Sequence, residues 1–410
     1  MPDSGPMPLW RGRALAVLGI LLVAVNLRSA VTALSPIVSE IRVDVPLGSV
    51  ALGILGMLPP VCFAVFGIVA PLFTRKASLE AVMTIALVVI LAGHLMRAAA
   101  GSLPMLIIGS GVTFAGMAVG NVLLPPLVKR YFPDRVGLMT SLYATVLAVS
   151  TLVPPLIAVP VADSLGWRFS VGMWAVFSVL AAIPWLAILV VHKPRHTQAG
   201  ESIEEADAAE LKRIWHAPTA WALAILFAVS SVNAYAMFAW LPEILHDTAG
   251  VHPAGAGALL SLYAAMGMPA GLLIPVLATR MKNIGILIYV GIGCFLAGYL
   301  GLILVPMVGT WFWVLLAGSG PLVFPLCLVL INLRTRTHHS AVALSGFVQG
   351  LGYTLGAVGP LLVGVLHEVT GGWMWPLVFL IATVLAGVFA GAVVARPRMV
   401  EDQLAQGAVR

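Results

Sequence analysis

Long apolar runs separated by short polar breaks organise the whole chain. A helix needs about 20 residues to cross a bilayer, and on that measure the runs predict twelve spans. Six lie near 14–39, 48–73, 78–99, 103–128, 136–162 and 169–191. Six more lie near 218–245, 254–278, 284–306, 310–333, 340–367 and 373–395. The runs are apolar on every face rather than at alternate positions, so they predict helices and not barrel strands. A polar, mixed-charge stretch containing Glu201, Glu204, Glu205, Asp207, Glu210, Lys212 and Arg213 separates the two sixes. The expected organisation is an all-α membrane protein with a first bundle over 1–192, a linker over 193–216 with a short amphipathic helix, and a second bundle over 217–410.

Composition agrees. The 410 residues are 60% hydrophobic and 9% charged, with a mean hydropathy of +1.04; no water-soluble globular surface is built that way. Cys62, Cys294 and Cys327 fall in different spans without metal-ligand spacing and read as packing residues. No metal site and no cofactor is expected. The net charge of +6 raises the question of nucleic acid, but its distribution follows the membrane. One side carries Arg75, Lys76, Lys129, Arg130, Arg135, Lys193, Arg195, Lys212, Arg213, Arg280, Lys282, Arg334, Arg336, Arg396 and Arg398, against Arg42, Arg97 and Arg168 on the other. The positive-inside rule then puts both termini of a multi-pass membrane protein in the cytoplasm. Arg11 and Arg13 precede the first span with no small-residue cleavage site after it, which predicts an uncleaved start.

Within the first run, ALAVLGILLVAVNLRSAVTALSPIVSEI, Arg28 stands near the middle. A guanidinium keeps its proton there and costs between about 2.5 and more than 10 kcal/mol unless it faces water, a partner or a ligand. Every acidic residue falls in a loop or at a span end, among them Glu40, Asp44, Glu80, Asp134, Asp163, Glu243, Asp247 and Glu368. Two readings stand: an anion ligand, or a structural arginine bonded to carbonyls at a helix break.

An internal repeat runs through the chain at an offset of roughly 205 residues, as expected of solute carriers built from paired bundles. Leu91-Ala92-Gly93-His94-Leu95 returns as Leu296-Ala297-Gly298-Tyr299-Leu300, Thr74-Arg75 as Thr279-Arg280, Pro155-Leu156 as Pro360-Leu361, Asp163 as Glu368, and Gly166-Trp167 as Gly371-Gly372-Trp373. Asn26 falls opposite Asn233. His94 and Tyr299 read as packing residues of outer helices, and His338-His339 as a solvated turn. Gly116 with Gly120, Gly346 with Gly350, and Gly352 with Gly356 have the small-xxx-small spacing of close helix contacts. Pro59-Pro60, Pro125-Pro126 and Pro154-Pro155 read as kinks or helix ends.

This arrangement resembles the major facilitator superfamily. Within it the chain resembles the cyanate and nitroimidazole permease family, through Asn26-Leu27-Arg28-Ser29-Ala30 to Ser35-Pro36, Leu124-Pro125-Pro126-Leu127-Val128-Lys129 and Leu241-Pro242-Glu243. There are departures. The superfamily's Gly-x-x-x-Asp-Arg loop reads Ala70-Pro71-Leu72-Phe73-Thr74-Arg75-Lys76 here, without the acid, which argues against a charge-locked gate. The fifth span lacks the glycine-proline signature of drug exporters, although Gly356-Ala357-Val358-Gly359-Pro360 resembles it in part.

The resemblance implies a central cavity lined by spans 1, 2, 4, 5, 7, 8, 10 and 11. Polar residues on those spans become solute candidates: Arg28 and Thr32, Asn121, Tyr143, Asn233, Tyr235, Tyr263, and the pair Gln349 and Tyr353, four apart on one helical face. Trp240, Glu243 and Arg75 are candidates for gating or interface positions. The expectation is a monomeric alternating-access transporter, and not an enzyme, that moves a small anionic or nitro-bearing solute through the lipid bilayer, with no nucleic-acid partner. The alternative is an exporter of neutral aromatic compounds in which Arg28 is structural. A membrane-embedded enzyme would need a convergent His/Asp/Glu set, and the spans contain none.

Overall fold

A computed structural model describes residues 13–191 and 208–407 of the chain. Among these residues every element is helical. Twelve helices are long and apolar enough to cross a membrane: Ala14–Asp44, Ser49–Thr74, Leu79–Ala98, Leu103–Tyr131, Val136–Leu165, Trp167–Val190, Pro218–Ala249, Pro253–Arg280, Gly285–Leu304, Thr310–Leu333, His338–Thr370 and Met374–Val394. The predicted spans match them to within a turn or two at most ends. In the linker, the expected short helix is Ala208–Ile214; Glu201, Glu204, Glu205 and Asp207 lie outside the described residues.

By internal contacts the chain divides into two compact units, Met1–Pro46 with Val65–Ile203, and Leu47–Ala64 with Glu204–Arg410. The first part of the second span is thus grouped with the second unit. A Cβ built on Gly53 would lie 3.0 Å from Pro360 O, and one on Gly56 would lie 2.8 Å from the Pro360 ring. The second span therefore lies hard against the eleventh.

The repeat seen in the sequence has a hydrogen-bonded form in each unit. In the first, Asn26 Nδ2 donates to Leu22 O at 2.8 Å and to Phe177 O at 2.9 Å, while Ser178 Oγ donates to Asn26 Oδ1 at 2.6 Å. In the second, Asn233 Nδ2 donates to Val229 O at 2.7 Å and to Thr383 Oγ1 at 3.0 Å. Each asparagine pins the first span of its unit to the last. The outer ends repeat too: Trp167 Nε1 donates to Asp44 Oδ2 and Trp373 Nε1 to Asp247 Oδ2, both at 2.8 Å. Gly166 and Gly371, which end the fifth and eleventh spans, both have positive φ, a conformation glycine adopts without a Cβ penalty.

Small residues set the closest helix approaches. A Cβ on Gly93 would lie 2.8 Å from Gly109 O, and one on Gly298 would lie 2.6 Å from Ala317 N, so the third span abuts the fourth as the ninth abuts the tenth. Gly116, Gly120 and Gly356 would each put a Cβ within 2.9 Å of a neighbouring helix, as their spacing predicted. Gly350 does not: nothing lies within 4 Å of the place its Cβ would take. Pro125-Pro126 and Pro154-Pro155 sit inside continuous helices rather than at helix ends. Interruptions fall instead at 3-10 turns over Ser35–Ile37 in the first span and Gly320–Leu322 in the tenth, and at short breaks after Gly172 in the sixth and Ala265 in the eighth.

One element was not foreseen. Val400–Gly407 forms a helix that ties down the starts of the seventh and eleventh spans. Gln403 Nε2 donates to Thr219 Oγ1 at 2.7 Å while Gln403 Oε1 accepts from Thr219 N at 3.1 Å. Glu401 Oε1 accepts from Arg336 N at 2.8 Å, and Arg336 Nη2 pairs with Asp402 at 2.9 Å.

Candidate functional site

The first unit presents a polar, cationic group around Arg28. Arg28 sits midway along Ala14–Asp44, two turns before the Ser35–Ile37 interruption, and is half-buried. A Cβ on Gly120 of the fourth span would lie 2.9 Å from Leu27 Cδ2. That contact brings the next residue on each helix, Asn121 and Arg28, to one level. Asn121 is half-buried too. The first span is held against the fifth by Ser150 Oγ, which donates to Ala24 O at 3.3 Å, and by Thr32 Oγ1, which donates to Thr151 O at 2.9 Å. Tyr143 is half-buried but lies seven residues before Ser150, about 10 Å along the fifth span.

The second unit presents an aromatic chain. Tyr353 of the eleventh span has ring centroids at 5.6 Å from Phe63, 5.1 Å from Phe227 and 6.5 Å from Tyr235. Tyr235 continues to Phe238 at 6.3 Å, and Phe238 to Tyr263 at 5.7 Å. Three of the expected tyrosines are therefore joined, with separations and tilts favourable for aromatic pairs. The sequence reading missed Phe63, Phe227 and Phe238, which complete the chain. Phe227, Tyr235 and Phe238 fall on one face of the seventh span, and that spacing was the available signal. Gln349 Nε2 donates to Ser345 Oγ at 2.7 Å, so its amide is already turned along its own helix.

Three of the candidate residues sit in packed seams. Thr32 and Asn233 are fully buried in helix seams, with their donors engaged by Thr151 O and by Val229 O and Thr383 Oγ1, so neither offers a surface to a solute. Trp240 is not an interfacial aromatic: it is fully buried, donates from Nε1 to Pro360 O at 2.9 Å, and packs beside Trp373 at 5.6 Å and His367 at 6.4 Å. Residue type and depth were legible in the sequence, but the face each side chain takes depends on which helices flank it.

Glu243 is half-buried and Arg75 exposed. The acid absent from the loop after the second span has a counterpart nearby. Glu80, in the first turn of the third span, pairs with Arg130 Nε at 3.4 Å and accepts from Tyr131 OH at 2.7 Å. Arg13 and Asp134 form a second pair at the same end, at 2.6 Å. Together these tie the first, third and fourth spans where the basic residues cluster.

Twelve apolar spans with a repeated internal hydrogen-bond scheme define a polytopic carrier fold. The sequence pattern of the Major Facilitator Superfamily matches residues 16–357, and the chain belongs to that superfamily. It is a transporter of that kind and resembles its cyanate and nitroimidazole branch. It is 33% identical over 389 residues to an uncharacterized transporter, YycB, of Bacillus subtilis (strain 168), covering 94% of each chain. It is 33% identical over 374 residues to the 2-nitroimidazole transporter of Escherichia coli (strain K12), covering 90% of this chain and 92% of that one. Identity to the cyanate transport protein CynX of the same organism is 24% over 373 residues, covering 88% and 92%. The crystal structure of a bacterial homolog of the human lysosomal transporter Spinster, inward-facing and unoccupied, shares the fold with a TM-score of 0.72 at 14% identity, covering 97% and 99%.

Proposed function

We propose that this chain is a secondary or facilitative transporter of a small anionic or nitro-bearing solute, with Arg28 as the residue that reads the solute's negative oxygens. The observation that carries this is a permanent cation held half-exposed at the centre of a membrane span, at one level with the half-buried Asn121. Cyanate and the nitro group are small acceptors of the kind a guanidinium binds through paired donors, and they are the chemistry named in two relatives. The halves rock about the solute by alternating access, with no bond made or broken, in the inner membrane with both termini on the cytoplasmic side, a reading supported by the positive-inside distribution.

Arg28→Gln should reduce uptake of cyanate or a 2-nitroimidazole into proteoliposomes by at least about tenfold, the loss of one charge-assisted interaction, with the melting temperature little changed. Arg28→Lys should recover part of it. Unaltered uptake and selectivity in Arg28→Gln would sink the assignment.

The aromatic chain of the second unit supports a second reading, an exporter of neutral aromatic compounds. On that reading Tyr353→Ala abolishes transport and Arg28→Gln spares it.

A further inference from the structure

A group of polar atoms between the third, fourth and sixth spans takes no part in solute transport as proposed above. Arg97, in the last turn of the third span, is 1% exposed, and His94, one turn earlier, is 0% exposed. The Nε and Nη2 of Arg97 and the hydroxyl of Ser110 are buried without a hydrogen-bond partner among the described residues, while the His94 ring is directed at the backbone of Val171. These atoms converge. His94 and Arg97 share a helical face three residues apart. A Cβ on Gly109 of the fourth span would lie 3.0 Å from Arg97 N and 3.2 Å from Arg97 Cγ, so the turn that carries Ser110 lies against Arg97. Phe114, one turn past Ser110, lies 5.9 Å from the guanidinium. Gly172 of the sixth span closes on Ala98, where its Cβ would meet the alanine's at 2.8 Å.

No carboxylate among the described residues pairs with Arg97. Asp44, at the same end of the unit, is engaged by Arg168 and by Trp167 Nε1, and Arg168 also donates to Ala100 O at 3.3 Å. Glu80, at the opposite end of the third span, is taken by Arg130. Nor does the fold itself demand a cation here. At the repeat offset, Tyr299 stands for His94 and Leu302 for Arg97, and Leu302 is buried just as deeply. A buried guanidinium cannot relieve its burial by losing a proton, and unmet buried donors on a charged group are strongly unfavourable.

We propose that Arg97 and Ser110 form a buried site for a small monovalent inorganic anion of halide size, with chloride as the probe. The donors offered are two guanidinium N–H groups and the Ser110 hydroxyl, with Phe114 beside the guanidinium. The close approach of the third and fourth spans at Gly93 and Gly109 excludes bulkier organic anions. The exposed Ala99 and Gly101 lie within four residues of Arg97, so the ion enters from the end of the span. Its work is that of a fixed counter-ion to the third span rather than of cargo.

The test uses the full chain purified in gluconate and melted by intrinsic tryptophan fluorescence while chloride replaces gluconate at constant ionic strength. A saturating rise on the order of 3–5 °C is expected; bromide should reproduce it and Arg28→Gln retain it. Ser110→Ala should shift half-saturation to roughly tenfold higher chloride, and Arg97→Met should abolish the response. No chloride response in the wild-type chain, or an equal response in Arg97→Met, overturns the site. Should Arg97→Met fail to purify folded, wild-type crystals grown in bromide decide: an anomalous peak beside the guanidinium supports the site, and its absence overturns it.

Discussion

Asn26 and Asn233 illustrate how little a polar side chain's identity says about its job inside a span. Both stand near the middle of the first span of their unit, as a solute-binding amide would. Each instead closes a bond to its own helix four residues back and another to the last span of its unit. Such interhelical bonds contribute about 0.6 kcal/mol on average and up to about 1.7 in membrane helices. Asn233→Ala should lower the melting temperature by that measure and leave solute selectivity alone; a change in selectivity would return Asn233 to the binding set. The repeat in the sequence paired the two positions correctly, but neither partner, Ser178 nor Thr383, is close in sequence, so the orientation of the amides was beyond its reach. Arg28 differs from both, because it keeps part of its surface exposed at the same depth.

Among the elements, long runs apolar at every position predicted the spans, because a backbone in hydrocarbon is satisfied only in a helix or a closed barrel, and barrel strands alternate. What it could not predict was how a helix tolerates proline. Pro125-Pro126 and Pro154-Pro155 are carried inside continuous helices, while Pro36 coincides with a 3-10 interruption. The C-terminal helix Val400–Gly407 escaped notice for the opposite reason: it is short and polar, and it exists through its bonds to Thr219 and Arg336. Burial pushes the Glu401 carboxyl up, but hydrogen bonds from the backbone of Arg336, its own backbone, Ser340 and the backbone of Thr337 outweigh it, and the group ends below its ordinary 4.5. A depressed carboxylate stabilises the docked helix above the unfolded value and loses that contribution as pH falls through the folded one. The helix should stay docked at neutral pH and loosen only as acid takes the solution below the ordinary carboxylate range. Amide hydrogen exchange of Val400–Gly407, corrected for the intrinsic pH dependence, should show protection at pH 7, reduced protection in Glu401→Gln at pH 7, and reduced protection in the wild type near pH 3.5. Equal protection in all three would show that the carboxylate does not hold the helix.

For the whole molecule, the distribution of basic residues predicts the orientation. Single cysteines placed at Arg280 or Arg336 should react with a membrane-impermeant maleimide only after cells are permeabilised, and ones at Gly101 or Val308 in intact cells. The reverse pattern would invert the topology and with it the proposed localisation. The number of spans and the superfamily followed from the sequence alone, the first because hydropathy needs no partner helix to be read, the second through the internal repeat and the first-span motif. The site was legible only as a set of residue types at given depths. Which of them lie in a hydrogen-bonded helix seam, as Thr32, Asn233 and Trp240 do, and which join into one buried aromatic cluster, as Tyr235, Tyr263 and Tyr353 do with Phe63, was decided by tertiary packing. A helix carries residues on every face, and only its neighbours determine which of those faces is covered.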